Sequence, residues 1–466
     1  MSRARAVLAV VVLALGCAGS ASAEGAGWTA VTIPASDATP LACAYIIPSG
    51  AAPAGGWPGV ILFHGLGDSH ADMEPIGSAM AQLGFAALAC DARGTGASGG
   101  QWGLDGPTEV QDAQDLFAWF AARSDVSNTQ IGAFGLSLGG GEVWNAAAAG
   151  VPFKAIVPAI TWTDLASALH PNGVPKTGLV GILSQAVPMS HWDPALVQTA
   201  QRLLQGNVTP AVTSMEAARS SRSHLHAIAV PTLLLQGRHD FLFDMDQAIA
   251  AWKLLAGPKR LYLGDLGHPP ARNPPTEQTD YVEAAIGWFV HYLAMGETPN
   301  GGVQLAHDPW DGTWSTYKEL PATRKTSVNL PGKTKLSALG LATRSARLTG
   351  GPHETFGDGF VTVHYSGAKH WTHLVATVSV QGSKTPVTEG AAPIRSSSGT
   401  VKIPLMNEAV LLPRGKKLVV KLGSVSADDA YHVGTPIYAS LAPQGASIKI
   451  GTATLRLSLL KRAVSK

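Results

Sequence analysis

The segment from Gly135 to Gly139 constrains the fold more than any other part of the chain. It reads Gly135-Leu-Ser137-Leu-Gly139, follows the apolar run 130–134 and leads into a stretch with helical spacing. A strand that turns sharply into a helix needs small residues on both sides of the turn. The Ser137 hydroxyl would then project above a sheet at the positive end of the helix, which favours a developing oxyanion. The segment therefore predicts a nucleophile on an α/β sheet, the alternative being a glycine-rich turn that happens to contain serine.

Short β-rich runs alternate with helix-like segments from Trp28 to about Met295. The runs are Gly59–Phe63, Phe85–Cys90, Gln130–Phe134, Lys154–Ile160, Thr232–Gln236 and Arg260–Leu263. Such alternation predicts a mostly parallel sheet with helices on both faces. We assign residues 24–300 to this α/β domain.

Two further regions depart from this pattern. Residues 161–227 separate two predicted strands by far more than a short crossover needs, and their helix-like pieces predict a helical cap over one edge of the sheet. From residue 306 to 466 apolar residues alternate with polar ones, as in Leu374-x-Ala376-x-Val378. Period-two alternation predicts a C-terminal all-β, jelly-roll-like sandwich with one solvated face per sheet.

A serine nucleophile needs a histidine base and an acid that orients it. Asp240 follows the run 232–236, and His268 follows the next run, so both lie past the carboxyl ends of predicted strands. Asp244 and Asp246 compete with Asp240, but both fall where the next helix should start and where aspartate commonly caps helices. His239 adjoins the acid and should point away from it. We expect a catalytic set of Ser137, Asp240 and His268.

Acyl transfer also needs two donors for the oxyanion. One should be the backbone N–H of Leu138, and the second that of Leu66 in the loop His64-Gly65-Leu66-Gly67. His64 itself is expected to hold that turn.

Three tryptophans are candidates for substrate binding. Trp102 lies after the strand at Phe85–Cys90, Trp162 just past a later strand, and Trp192 in the cap. Aromatic side chains there would line an apolar pocket, although packing between cap and core is an equal alternative.

The N-terminus indicates export. Arg3 and Arg5 precede a short apolar stretch and the sequence Ala21-Ser-Ala23, which together predict a signal peptide over residues 1–23 and a secreted, extracellular or periplasmic protein. The remaining cysteines, Cys43 and Cys90, lie in strand-like segments. They are either two buried thiols or a bridge, and in both cases we expect them on neighbouring strands.

Charge and metal ligands exclude several classes of partner. The chain has 34 Lys and Arg against 32 Asp and Glu, so nothing attracts nucleic acid, or a membrane once the leader is removed. No cysteines and histidines have zinc spacing, and neither a metal nor a cofactor is expected. The oligomeric state stays open.

These motifs together resemble the α/β-hydrolase superfamily, and further residues resemble the X-prolyl dipeptidyl peptidase and cocaine esterase group within it. The residues are the loop Asp91-Ala-Arg93-Gly-Thr-Gly-Ala-Ser98-Gly-Gly100, the pair Glu109-x-x-Asp112 before Trp119, the helical insertion and the C-terminal β domain. The resemblance implies an α/β-hydrolase fold with a cap and a jelly roll. One departure is the His-Gly-x loop, since that group commonly places a tyrosine hydroxyl in the oxyanion hole. The departure weakens the case for X-prolyl specificity.

The sequence thus favours a secreted serine hydrolase that cleaves esters or short peptide amides. An X-prolyl-type dipeptidyl peptidase is the narrower alternative, and it would need carboxylates for a substrate amine, for which Asp72, Glu74, Glu142 and Asp164 are candidates. An exported binding protein on a hydrolase scaffold is the alternative from another class. Arg93 could clamp a substrate, but tying its own loop together is the simpler role.

Overall fold

The computed structural model describes residues 27–294, 301–432 and 434–464, so the predicted leader lies outside the described residues. Its centre is a ten-stranded sheet with the order β1-β2-β4-β3-β5-β6-β7-β8-β9-β10. The strands are β1 Thr29–Pro34, β2 Pro40–Ile46, β3 Trp57–Phe63, β4 Ala86–Cys90, β5 Val126–Leu136, β6 Ile156–Ala159, β7 Thr232–Gly237, β8 Lys259–Gly264, β9 Gly302–Ala306 and β10 Trp314–Tyr317. Strands β3 to β9 run parallel, as their buried apolar runs predict.

Helices cover both faces of this sheet. They are α1 His70–Gln82, α2 Pro107–Ala121, α3 Leu138–Ala148, α8 Met245–Leu254 and α9 Pro275–Ala294. The apolar residues of helices and sheet form two buried clusters, one on each side of the strands. The predicted α/β-hydrolase architecture is confirmed.

The insertion between β6 and β7 is helical, as its sequence predicts. It contains α4 Leu165–Leu169, α5 Thr177–Leu183, α6 Pro194–Leu204 and α7 Pro210–Ala217, with short 3₁₀ turns at Pro171–Gly173, Met189–His191 and Arg222–Ala227. Its apolar residues share one cluster with Leu138, which lies beside the predicted nucleophile. The insertion therefore covers the carboxyl edge of the sheet.

The central sheet continues past the predicted domain boundary at residues 300–306. Strand β9 pairs in parallel with β8, and β10 pairs with β9, so residues 302–317 complete the α/β sheet. Period-two patterning does not show which sheet a short apolar run joins, and this is why the sequence placed the boundary too early.

The C-terminal strands form antiparallel sheets around a second core. They are β11 Thr323–Leu330, β12 Thr334–Ser337, β13 Ala342–Arg347, β14 His353–Glu354, β15 Gly359–Lys369, β16 His373–Val380, β17 Pro386–Pro393, β18 Gly399–Leu405, β19 Leu411–Leu412, β20 Lys417–Gly423 and β21 Ser447–Leu460. One sheet has the order β11-β21-β15-β18 and the other β13-β20-β16-β17.

The expected solvated face is missing from two of these strands. Residues of β16 and β17 are buried on both faces, with only the last residue of each partly exposed. Val375 and Ala391 belong to the apolar cluster of the cap. The β domain therefore packs directly against the cap and α/β domain.

Cys43 and Cys90 are bonded. They lie opposite each other on the antiparallel strands β2 and β4, with Cα atoms 4.0 Å apart. The expectation of neighbouring strands is confirmed, and of the two alternatives the structure has the bridge.

Candidate active site

The turn between β5 and α3 holds Ser137 in a strained conformation. Its φ is 54° and its ψ −111°, a region that residues with a side chain rarely adopt. The flanking glycines make the turn possible: a Cβ on Gly135 would lie 2.0 Å from the Gly139 carbonyl oxygen, and one on Gly139 would lie 2.2 Å from that of Phe63. The Gly-x-Ser-x-Gly spacing is thus a steric requirement of this turn.

Ser137, His268 and Asp240 form one chain of hydrogen bonds. The Ser137 Oγ lies 2.9 Å from His268 Nε2, and His268 Nδ1 lies 2.9 Å from Asp240 Oδ2. Asp240 is fully buried, and its other carboxylate oxygen accepts the backbone N–H groups of Leu242 and Phe243 at 3.0 and 2.9 Å. Because these contacts fix the carboxylate, they also fix the orientation of the imidazole.

The competing residues have other roles. Asp244 caps helix α8, where it accepts the N–H of Asp246 at 3.2 Å. His239 points away from Asp240, as predicted, and its ring nitrogens lie 3.2 Å from carboxylate oxygens of Asp265 and Asp308. These two carboxylates raise the pKa of His239 to about 9, against the effect of burial.

The loop that carries Leu66 is held by His64. The N–H of Ala92 donates to His64 Nε2 at 2.9 Å, so Nδ1 carries the proton and donates to the Gly65 carbonyl oxygen at 2.7 Å. Within the described ranges, neither the N–H of Leu66 nor that of Leu138 has a hydrogen-bond acceptor. Both residues line the pocket beside Ser137, so their N–H groups are available to a ligand there.

A large apolar pocket opens beside Ser137 and His268. It holds about 1240 Å³ of space, part of it open to solvent. Trp102, Trp162 and Trp192 all line it, and the Trp102 and Trp192 rings meet edge to face at 5.0 Å. Their place in the wall agrees with the sequence, whereas their contact with substrate stays a prediction. Tyr431 of the β domain also lines the pocket, and sequence patterning gave no sign of it.

Asp68 lies in the pocket wall, and it is not among the acidic candidates that the sequence suggested. Burial, together with neighbouring Asp72, raises the pKa of Asp68 to about 6. Asp68 lies two residues after Leu66, and this short spacing from the loop His64-Gly65-Leu66-Gly67 was the available signal. The acidic candidates Asp72, Glu74, Glu142 and Asp164 do not line the pocket.

Arg93 has the structural role that the sequence favoured. Its guanidinium pairs with Asp112 and Asp37 and donates to Thr39 Oγ1 at 2.7 Å. It lies outside the wall of the pocket beside Ser137. Arg93 thus ties the loop after β4 to helix α2 and to the β1–β2 turn.

Among the described residues, one group has ligand atoms close enough to hold a metal. His239, Asp265 and Asp308 bring these atoms within 4.8 Å of one another. Arg272 already pairs with both carboxylates, and His239 lies between them. The chemistry of this group is therefore that of a compensated ion-pair network. In the described ranges, no helix has the length and apolar character needed to cross a membrane.

The chain is similar to one protein family over about half of its length and to a curated protein over a shorter segment. Residues 30–270 match the model of the X-Pro dipeptidyl-peptidase (S15) family. A curated Escherichia coli protein, described as an uncharacterized 31.7 kDa protein in the traX-finO intergenic region, is 34% identical over 109 residues. That match covers 23% of this chain and 38% of the relative.

Solved structures resemble the whole chain. A CocE/NonD family hydrolase from Staphylococcus aureus superposes with a TM-score of 0.71 at 14% identity, over 92% of this chain and 93% of the other. An α-amino acid ester hydrolase gives 0.69 at 14% identity, over 96% and 99% of the two chains. An aminopeptidase from a marine sediment Thaumarchaeota archaeon gives 0.66 at 12% identity, over 96% and 99%. At these identities the likeness shows a shared fold.

Proposed function

The chain belongs to the X-Pro dipeptidyl-peptidase (S15) family, and from this premise we propose that it is a serine hydrolase that cleaves carboxylic esters through an acyl-enzyme. The observation that carries the proposal is the hydrogen-bonded chain from Ser137 through His268 to a fully buried Asp240. A serine held in a strained turn and bonded to an oriented imidazole is the arrangement that nucleophilic catalysis requires.

The proposed reaction has two halves. Ser137 Oγ attacks the ester carbonyl carbon while His268 Nε2 takes the hydroxyl proton, and Asp240 stabilises the imidazolium. The oxyanion accepts the N–H groups of Leu66 and Leu138. The C–O bond to the alcohol breaks, and the alcohol leaves with the proton from Nε2. Water then repeats these steps on the acyl-serine and releases the acid.

Amine-bearing substrates are the second candidate, and Asp68 favours them. Its carboxylate lines the pocket that contains Ser137 and His268, where it could pair with the ammonium group of an aminoacyl ester or a peptide. The aminopeptidase and the α-amino acid ester hydrolase that share the fold fit this candidate by their names. Hydrolysis of p-nitrophenyl acyl esters, compared with aminoacyl and Xaa-Pro anilides, decides between the two.

Covalent labelling tests the serine mechanism itself. A fluorophosphonate probe should label the wild-type chain and leave Ser137→Ala unlabelled, and Ser137→Ala should lower turnover about 10⁴-fold or more while the circular dichroism spectrum is retained. Absence of labelling in the folded wild type would favour a binding protein on a hydrolase scaffold.

We also propose that the protein is exported. The leader pattern of residues 1–23 supports this, and a disulfide between Cys43 and Cys90 suits an oxidising compartment. N-terminal sequencing of the protein recovered outside the cytoplasm should begin at Glu24. A chain that keeps its leader inside the cell would contradict export.

A further inference from the structure

We propose that the pocket under the cap binds a long apolar acyl chain, so that the substrates are esters of medium- to long-chain carboxylic acids with about eight carbons or more. The inference rests on the proposed function and deepens it. It is carried by the faces that the cap helices turn toward Ser137.

Helix α6 presents an apolar stripe to the pocket. Leu196, Thr199, Ala200 and Leu203 line it, and their spacing of three and four residues places them on one face of the helix. All four are buried, whereas Ala195 at the start of the helix is exposed. A buried apolar face normally packs on other protein atoms, but here part of it borders open space.

Helix α5 supplies a second apolar wall. Leu179, Val180, Ile182 and Leu183 line the same pocket. Leu179 is fully buried. Because two helices of the cap turn apolar residues to one space, this part of the pocket suits a hydrocarbon occupant.

The hydroxyl groups in this part of the wall already have acceptors. Thr199 Oγ1 donates to the carbonyl oxygen of Ala195 at 2.9 Å, and Ser184 Oγ donates to that of Gly181 at 3.0 Å. Their protons are therefore used within the helices. A peptide or sugar in this region would leave its own carbonyl or hydroxyl oxygens without donors, which is unfavourable on burial.

Apolar residues line the pocket from the cap helices as far as Ser137. Leu138 directly follows Ser137. The ring centroids of Trp162 and Phe243 lie 5.1 Å apart, and those of Phe243 and His268 lie 5.4 Å apart. All of these residues line the pocket. The apolar lining from the cap helices to Leu138 is continuous, so it offers contacts well beyond the reach of a short acyl group. An acyl chain attached at Ser137 can therefore extend along this wall into the cap.

The test is the dependence of kcat/KM on acyl length, measured with p-nitrophenyl acetate, butyrate and octanoate below their aggregation limits. Each buried methylene can raise kcat/KM by up to about fourfold. We expect octanoate to exceed acetate by about 50-fold or more. Equal values for acetate and octanoate would overturn the inference.

A pair of variants on one helix locates the effect. Ala200→Phe places a ring in the stripe and should lower kcat/KM for octanoate about tenfold or more, and by a much larger factor than for acetate. Ala195→Phe, on the exposed side of the same helix, is the matched control and should change neither. If Ala200→Phe lowers both esters equally, or if Ala195→Phe has the same effect, the chain does not lie along this face.

The two proposals fail in different ways. Lack of fluorophosphonate labelling, with no hydrolysis of any ester, would remove the proposed function. Normal labelling with hydrolysis of acetate, or of Xaa-Pro anilides, but no gain with acyl length would remove the acyl-chain inference alone.

Discussion

Two neighbouring acids, Asp240 and Asp244, have different surroundings and should differ in their effect on turnover. Asp240→Asn should lower kcat/KM by about 10⁴-fold, because an amide no longer holds the imidazole of His268 in the required tautomer. Asp244→Asn is the matched control. Asp244 caps helix α8 with one oxygen and accepts the N–H of Asn407 at 2.8 Å with the other. Asparagine can still cap the helix but cannot accept both N–H groups, so the variant should lose about 1 kcal/mol of stability and little activity. A larger loss of kcat/KM in Asp244→Asn would show that the acid has been assigned to the wrong residue.

His239 should make stability depend on pH on the alkaline side. Asp265 and Asp308 raise its pKa from 6.5 to about 9. A raised pKa means that the charged form is stabilised in the folded protein. The contribution is therefore complete below pH 6.5 and is lost as pH rises to about 9.

The loss is about 3 kcal/mol in free energy of unfolding. Urea denaturation at pH 6.5 and 9 measures it, with His239→Gln as the comparison. The variant should be less stable at pH 6.5, and its stability should fall less across this range. Parallel curves for the two proteins would contradict the assignment of this charge.

Some residues of the candidate site could be predicted from the sequence and others could not. Ser137, Asp240 and His268 were recognisable because each follows a strand in a fixed order, and the structure brings them into hydrogen-bond contact. Asp68 could have been found only from its short spacing to Leu66, and Tyr431 had no sequence signal, since its place in the wall depends on packing between distant segments.

At the level of elements, the bridge between strands β2 and β4 has a testable energetic role. It closes a loop with a sequence separation of 47 residues, and loss of such a crosslink should lower the free energy of unfolding by about 2–4 kcal/mol. The double variant Cys43→Ala, Cys90→Ala should show this loss in urea denaturation. The wild type after reduction is the control and should show a similar loss, whereas two free thiols in the denatured, unreduced chain from Glu24 onward would contradict the bridge.

Element prediction succeeded where the hydrophobic period was unambiguous. Strands β3 to β8 lie within a few residues of their expected positions. It failed at β9, a run of five residues whose period does not show that it joins the α/β sheet. It also failed for β16 and β17, because the cap covers the face that alternation alone would leave to solvent.

At the level of the whole molecule, the β domain and the α/β domain share a buried polar interface. Lys176 of the cap is buried and donates to the carbonyl oxygen of Phe241 at 3.0 Å. Burial lowers the pKa of Lys176, and this effect is opposed by carboxylates from both sides, namely Asp244 of the α/β domain and Glu389 and Glu408 of the β domain. Because these groups come from segments far apart in the chain, their contact could not be predicted from a local sequence pattern. Because these charged groups are buried between the domains, we expect the β domain and the α/β domain to stay packed together in the folded protein.

Arg238 makes a second buried connection between the α/β domain and the β domain. It lies two residues before Asp240, pairs with Glu354 of the β domain, and donates to the Ala409 carbonyl oxygen at 2.8 Å. Both side chains of the ion pair are fully buried. Glu354→Ala would leave the guanidinium without this counter-charge, which should lower the free energy of unfolding by about 3–5 kcal/mol.

The surface pair Lys325–Asp358 in the same β domain provides the matched control. Its carboxylate is 73% exposed, so Asp358→Ala should change stability by no more than about 1 kcal/mol. Urea denaturation followed by tryptophan fluorescence should show a single transition for wild type and both variants, since separating the domains would leave the buried Arg238–Glu354 pair uncompensated. Two separate transitions in the wild type, or equal losses for Glu354→Ala and Asp358→Ala, would mean that the domains are energetically independent and that Arg238 does not couple them.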